Sequence, residues 1–468
     1  MDAKSNQLPQ DVEEQEQSED CLRLTVTRPA DAPSSAKLPV VVFLHGGAYF
    51  LGSGDRRYYS PLTFCTHALE MQKPVLFISM NYRLGALGFF HSPEASDLIP
   101  ANNGLHDQLN GFEWLHRYIA GFGGDKDNIT AIGQSAGGES LSLHNLSGRS
   151  DALYKRSIMF SGTPLTMPDK TPSEHQTNFL SQAKRLGIET QDRSSTDIAK
   201  AMIATPVSAI RDLSYVGQPC VDTSTIPHKT HATMRSISSG DYPSVPWLSS
   251  QIISAASYDG SISNIMMRGD ASRKEHATSF AAIARAVLQH PNDLLRLYDL
   301  DDSTPDDAAL TRICQFESDI GFLAPALSVV RATADKTETY AQLFSLGNPF
   351  DGPLPKGQFA SHTWDVVALL GAYEERLDPP YVRAIRAWRE RYIRYVVDGE
   401  APWGSFEVGK DETVLRVPSG GGEAREESLG TVLEGRLERL LEIAKREGPD
   451  GADTLWEGVC RRWLMKGE

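Results

Sequence analysis

A short apolar run, Ile129-Thr130-Ala131-Ile132, leads without a break into Gly133-Gln134-Ser135-Ala136-Gly137, and residues 138–144 beyond it are compatible with a helix. A strand that turns directly into a helix around a single serine is the context that a nucleophile elbow requires. The turn is sharp, so the positions two before and two after the serine must lack bulk, and glycine fills both. Such a turn lifts the serine hydroxyl above the end of a sheet. It also sets it at a helix N-terminus, where developing negative charge is favoured. The pentapeptide alone is a frequent chance match. Its strand-turn-helix setting is what makes Ser135 a candidate nucleophile.

The rest of the chain fits the same plan. Leu22, Leu24 and Val26 alternate with polar neighbours as in a strand. Residues 40–44 and 75–79 are apolar runs of buried-strand type, and 249–256 and 340–346 read as two further strands. A helix is expected over 105–119, where Leu109, Phe112, Leu115 and Ile119 fall near helical spacing, and another over 382–397. This alternation predicts an α/β protein with a mostly parallel sheet flanked by helices. Residues 163–245, rich in Thr, Ser, Pro and Lys, are expected to form a helical excursion outside the sheet. Residues 1–18 are polar and acidic and read as a disordered arm, which leaves 19–468 as a single domain. Residues 418–422 read as a flexible joint. Beyond them Leu433, Leu437, Leu440, Leu441 and Ala444 mark one face of a helix that docks on the body.

Charge and cysteine usage narrow the function. The 468 residues carry a formal net charge of -15. Such a surface repels phosphate backbones, so nucleic acid is excluded as a partner. The first residues have neither a basic nor an apolar stretch of signal-peptide type. No apolar run approaches the roughly 18 residues of a membrane span. Cys21, Cys65, Cys220, Cys314 and Cys460 are scattered and lack any C-x-x-C spacing. That argues against a zinc site and against a disulfide framework, and it predicts five free thiols in a cytoplasmic protein. The Asn128 and Asn145 sequons then read as chance matches.

A second element supports nucleophilic chemistry. His45-Gly46-Gly47-Ala48 follows the run at 40–44. Attack by a serine on an ester carbonyl creates a tetrahedral oxyanion, and backbone N–H groups stabilise it only where small residues let the chain come close. Gly47 and Ala48 fit that need, and the N–H of Ala136 would complete an oxyanion hole. The alternative is a plain glycine-rich turn after a strand. The base should be a histidine late in the chain, with an acid between it and the serine. Twelve histidines are present, and His362 lies in the expected region.

Several stretches together resemble the type-B carboxylesterase family, which includes cholinesterases and fungal lipases. They are Glu19-Asp20-Cys21-Leu22-Arg23-Leu24, Asn81-Tyr82-Arg83-Leu84-Gly85-Ala86-Leu87-Gly88-Phe89, Gly104-Leu105-His106-Asp107-Gln108, Phe122-Gly123-Gly124-Asp125 and Ser161-Gly162. The likeness is dense over 19–165 and patchier over 250–405. It implies the α/β-hydrolase fold and a catalytic triad. Ser135 stands at the nucleophile position, and His362, followed closely by Asp365 and an apolar run, stands at the base. Asp259, followed by Gly260, stands at the acid, with Asp319 as the alternative.

The resemblance implies hydrolysis of a small-molecule carboxylic ester through an acyl-enzyme, with no metal or organic cofactor. A lactone or thioester hydrolase, an acyltransferase, or a catalytically dead binding module would share these residues. Three departures bear on the substrate. The segment ahead of Glu19 is short, Gln134 stands where the family often has Glu, and Cys21 lacks its usual partner. The resemblance places the cation-binding aromatic of cholinesterases in a loop ahead of Glu19 that is expected to be missing here, so neutral esters are expected over choline esters. Tyr49 and Phe50 are candidates for an acyl pocket or for simple packing.

Overall fold

The computed structural model describes residues 7–9, 17–213, 218–222, 225–226, 232–240, 244–270 and 272–465. Among them nine strands form one sheet: β1 (Leu24–Thr27), β2 (Leu38–Leu44), β3 (Leu76–Met80), β4 (Gly124–Gln134), β5 (Arg156–Phe160), β6 (Ser250–Ala256), β7 (Glu338–Phe344), β8 (Thr413–Val417) and β9 (Arg425–Ser428). Their order is β1-β3-β2-β4-β5-β6-β7-β8-β9. The pairings from β3 through β8 are parallel, and the two edge pairings, β1 with β3 and β8 with β9, are antiparallel.

The strands form where they do because their alternate residues feed two cores. In β2, Val40, Val42 and Leu44 enter one core, while Val41 and Phe43 enter the other. In β6, Ile253 and Ala255 face one way and Ile252 and Ala256 the other. A parallel sheet must be covered on both faces, and such strands read as unbroken apolar runs. Each fully buried Val, Leu or Ile contributes roughly 1.5–3 kcal/mol relative to exposure.

Helices Asn103–Tyr118 and Pro379–Asp398 cover the expected stretches, and helix Arg436–Arg446 docks through Leu440, Ile443 and Ala444. Helices Pro172–Arg185, Ser195–Ile203, Val207–Arg211 and Met234–Ser238 lie between β5 and β6, outside the sheet. One continuous helical stretch, Asp306–Thr333, is long and apolar enough to cross a membrane, but 89% of its most apolar window is buried inside the fold. Its composition is that of a core helix.

Two expectations are corrected. Residues 418–422 are not a free joint: they link β8 to β9, whose antiparallel register runs from Thr413 opposite Ser428 to Arg416 opposite Arg425. The N-terminal arm is docked in part, with Gln7 and Leu8 each 2% exposed. Residues 1–6 and 10–16 of that arm lie outside the described residues.

The sheet order places the site. From β2 the chain moves to β3 on one side, then returns past β2 to β4 on the other. The carboxyl ends of β2 and β4 are therefore adjacent strand ends whose connections diverge, which opens a crevice there.

Candidate active site

Ser135 sits in that crevice. It follows β4 and precedes helix Ala136–Asn145, with φ 53° and ψ −125°. A non-glycine residue in such a region costs about 1–3 kcal/mol, and the surroundings must enforce it. They do so through close backbone contacts. A Cβ on Gly133 would lie 2.3 Å from the carbonyl oxygen of Gly137, and one on Gly137 would lie 2.1 Å from that of Leu44. The Ser135 N–H donates to the Phe160 carbonyl at the end of β5 (2.8 Å). The helix that starts at Ala136 presents its first N–H groups without intrahelical partners.

The turn after β2 lies directly against the serine. A Cβ on Gly46 would come within 2.8 Å of Ser135 Cβ, and Gly47 has φ 124°. Ala48 and Tyr49 continue with positive φ, and the Phe50 and Leu51 N–H groups donate back to the Gly47 carbonyl. His45 supports this turn from below. It is buried, its Nδ1 is 2.8 Å from the Gly46 carbonyl, and its ring stacks on Tyr82. Burial lowers its pKa to about 4.

Asp259 lies just beyond the end of β6, and His362 lies late in the connection from β7 to helix Trp364–Leu370. Asp259 is fully buried. Its Oδ1 is 2.7 Å from His362 Nδ1, and its Oδ2 accepts from the Ala256 N–H at 2.8 Å. The carboxylate partner assigns the hydrogen to Nδ1 and leaves the Nε2 lone pair free to accept. The His362 N–H donates to Ser261 Oγ (2.7 Å), and Phe322 packs on the ring at 5.4 Å.

A small cavity is lined by Gly46, Gly47, Gly52, Tyr58, Tyr59, Gln134, Ser135, His362 and Thr363. It brings together three of the expected residues, Gly47, Ser135 and His362. Asp259 stands behind His362, Ala136 is buried next to Ser135, and Ala48 lies outside the lining. Tyr49 is fully buried with its hydroxyl on Ser140, so its ring packs rather than lines this cavity. Asp319 is held elsewhere, by Arg436 (2.7 and 3.2 Å), Tyr298 (2.7 Å) and Gln315 (3.1 Å).

Gln134 has a role the sequence did not reveal. Its Nε2 lies 3.2 Å from His362 Nε2, while its Oε1 accepts from the Tyr59 hydroxyl (3.3 Å). His362 Nε2 therefore meets the neighbouring amide. Two more buried carboxyls lie near Asp259. Burial pushes Asp365 up to about 7 and Glu317 up to about 8, with the charge of Asp259 adding to both.

Residues 3–396 match the family model described as the carboxylesterase family. The chain belongs to the carboxylesterase family. Among curated family relatives, the para-nitrobenzyl esterase of Bacillus subtilis (strain 168) is 33% identical over 239 residues, which is 50% of this chain and 46% of that protein. The inactive carboxylesterase-like protein VdtD of Byssochlamys spectabilis is 35% identical over 168 residues, covering 36% of this chain and 29% of its own length. The chain thus spans about half or less of these relatives' length. A solved structure, PNB esterase, superposes with a TM-score of 0.65 over 90% of this chain and 85% of its own, at 22% identity. That likeness establishes the α/β-hydrolase fold of the family, with its mostly parallel central sheet flanked by helices.

Proposed function

We propose that this carboxylesterase-family chain hydrolyses small neutral carboxylic esters through an acyl-enzyme on Ser135. The observation that carries the reading is the 2.7 Å contact of His362 Nδ1 with the buried Asp259, in one cavity wall with Ser135. His362 Nε2 takes the Ser135 proton as Oγ attacks the carbonyl carbon, and Asp259 holds the ring and stabilises its charged form. The N–H groups of Gly47, Ala48 and Ala136 take the oxyanion. The imidazolium then gives its proton to the departing alcohol. Water deacylates Ser135 by the same route.

The cavity lining contains no carboxylate among the described residues, and Gln134 is neutral, so neutral acyl groups suit the site. The described cysteines are all free thiols, which supports a cytoplasmic setting. A relative named as inactive suggests a second reading, a non-catalytic member. The intact Ser135, His362 and Asp259 arrangement weighs against it.

Turnover of p-nitrophenyl esters of graded acyl length tests the proposal. Wild type should hydrolyse the short neutral esters, and Ser135→Ala should lower kcat by roughly 10⁴-fold or more without unfolding the protein. Equal rates in the two would overturn it.

A further inference from the structure

We propose that Gln7 is a positioning residue for His362, acting through the loop that Asn348 and Ser361 anchor. This rests on the reading of His362 as the general base.

His362 is delivered by a long connection. β7 ends at Phe344 and the next helix begins at Trp364, with no regular element between them. Irregular loops of this length are uncommon in compact domains unless they serve function, and they hold a shape only through side-chain anchors. Asn348 is the hub of this one. Its Oδ1 accepts from the Phe350 N–H (3.0 Å), and its Nδ2 donates both to Ser361 Oγ (2.7 Å) and to the Gln7 carbonyl (3.1 Å). Its backbone joins both ends of the loop: the Asn348 N–H donates to Phe359, and its carbonyl accepts from Gly357, each at 2.7 Å. Ser361 immediately precedes His362 and bridges to Tyr258 beside Asp259.

Gln7 completes this anchor from a distant part of the chain. Its Nε2 donates to the Phe350 carbonyl (2.9 Å) and its Oε1 accepts from the Leu354 N–H (3.0 Å). Together with the Asn348 bond, Gln7 makes three hydrogen bonds to one loop while only 2% exposed. The seat is shaped for it, since a Cβ on Gly352 would lie 2.4 Å from Gln7 Cγ. Leu8 fills the adjoining core beside Phe350 and Trp364.

The consequence is mechanical. The His362 N–H is fixed on one side by Ser261, and the preceding residue is fixed on the other by Asn348. The Gln7 backbone carbonyl gives the Asn348 amide its second acceptor, and the Gln7 carboxamide ties Phe350 and Leu354 to the same loop. Without it, buried polar groups of the loop lose partners and must shift to find others. The imidazole then moves relative to Ser135, and misplacement of about 1 Å costs roughly 10²-fold in rate. Substrate contacts stay where they were, so the defect falls on kcat.

The test uses the full-length protein with a p-nitrophenyl ester, scored per folded molecule. Gln7→Ala is expected to lower kcat about tenfold with KM within about twofold, and Asn348→Asp, which removes both Nδ2 donors, about a hundredfold. Because both residues hold the same loop, the double variant should lose less than the product of the two single losses. If Gln7→Ala does not fold, Gln7→Glu replaces it, keeping the acceptor for Leu354 and setting a carboxyl oxygen against the Phe350 carbonyl. Amide exchange over 357–362 should quicken in the same variants. Unchanged kcat in Gln7→Ala or Gln7→Glu, a KM effect in its place, or unchanged exchange would each overturn the positioning role. Wild type without Ser135-dependent turnover would instead overturn the reading of His362 as base, and this role with it.

Discussion

Replacing Asp259 by asparagine tests its proposed role in orienting His362, because both oxygens of the side chain are committed. Oδ1 faces His362 Nδ1 at 2.7 Å and Oδ2 accepts from the Ala256 N–H at 2.8 Å, in a fully buried position. An amide presents one acceptor and one donor. If its oxygen keeps His362, its NH2 group meets the Ala256 N–H, and two buried donors oppose each other at a cost of about 1–3 kcal/mol. If it keeps Ala256, the NH2 donates to Nδ1. The ring hydrogen then moves to Nε2, where the lone pair for Ser135 should be. Removing the base in this way costs roughly 10⁴-fold in kcat. Asp259→Asn should therefore lose about four decades of kcat on a p-nitrophenyl ester while KM changes little. Asp319→Asn is the matched control: Asp319 binds Arg436 and Tyr298, away from His362, so the change should lower thermal stability and spare kcat. Loss of activity in Asp319→Asn, with Asp259→Asn within tenfold of wild type, would refute the assignment.

Three further outcomes follow from the geometry. Gly137→Ala places a Cβ 2.1 Å from the Leu44 carbonyl oxygen and 2.8 Å from that of His45, so it should cost about 1–3 kcal/mol of stability and roughly 10²-fold in kcat; Gly121→Ala, with nothing within 4 Å, should change neither, as thermal melts and kinetics will show. Glu317 is raised from 4.5 to about 8 by burial, so the native state keeps a proton that the unfolded chain releases, and stability falls by up to about 1.4 kcal/mol per pH unit across that window. In melts from pH 5 to pH 8, Glu317→Gln should lose this share of the decline and gain on wild type as pH rises; parallel curves would refute the sign. Butyrylthiocholine should show a kcat/KM no higher than an uncharged thioester of the same acyl chain, and a tenfold preference for the charged substrate, about 1.4 kcal/mol, would reveal a cation site.

The elbow was legible because its requirements are local. An apolar strand, two glycines two residues from a serine, and a following helix stand together in the sequence. β2 and β3 were legible for the same reason, since a strand covered on both faces is continuously apolar. β9 is the opposite case. Arg425-Glu426-Glu427-Ser428 is an edge strand with its polar side chains largely exposed, so no apolar pattern marks it. β5 was hidden because Arg156 and Ser157 open it, although both are buried. Asp259 was chosen from the family resemblance rather than from spacing. The Gln134–His362 contact joins residues far apart in the chain, and no local pattern encodes it. The same holds for Gln7, whose acidic surroundings suggest disorder while its own carboxamide is buried against the histidine loop.

The most direct measurement is site mapping of a fluorophosphonate adduct by peptide mass spectrometry. A serine activated by His362 and Asp259 should be phosphonylated stoichiometrically at Ser135, with ester turnover lost in proportion, and Asp259→Asn should label far more slowly. Labelling spread over other residues, or turnover that persists when Ser135 is fully modified, would contradict the proposed function.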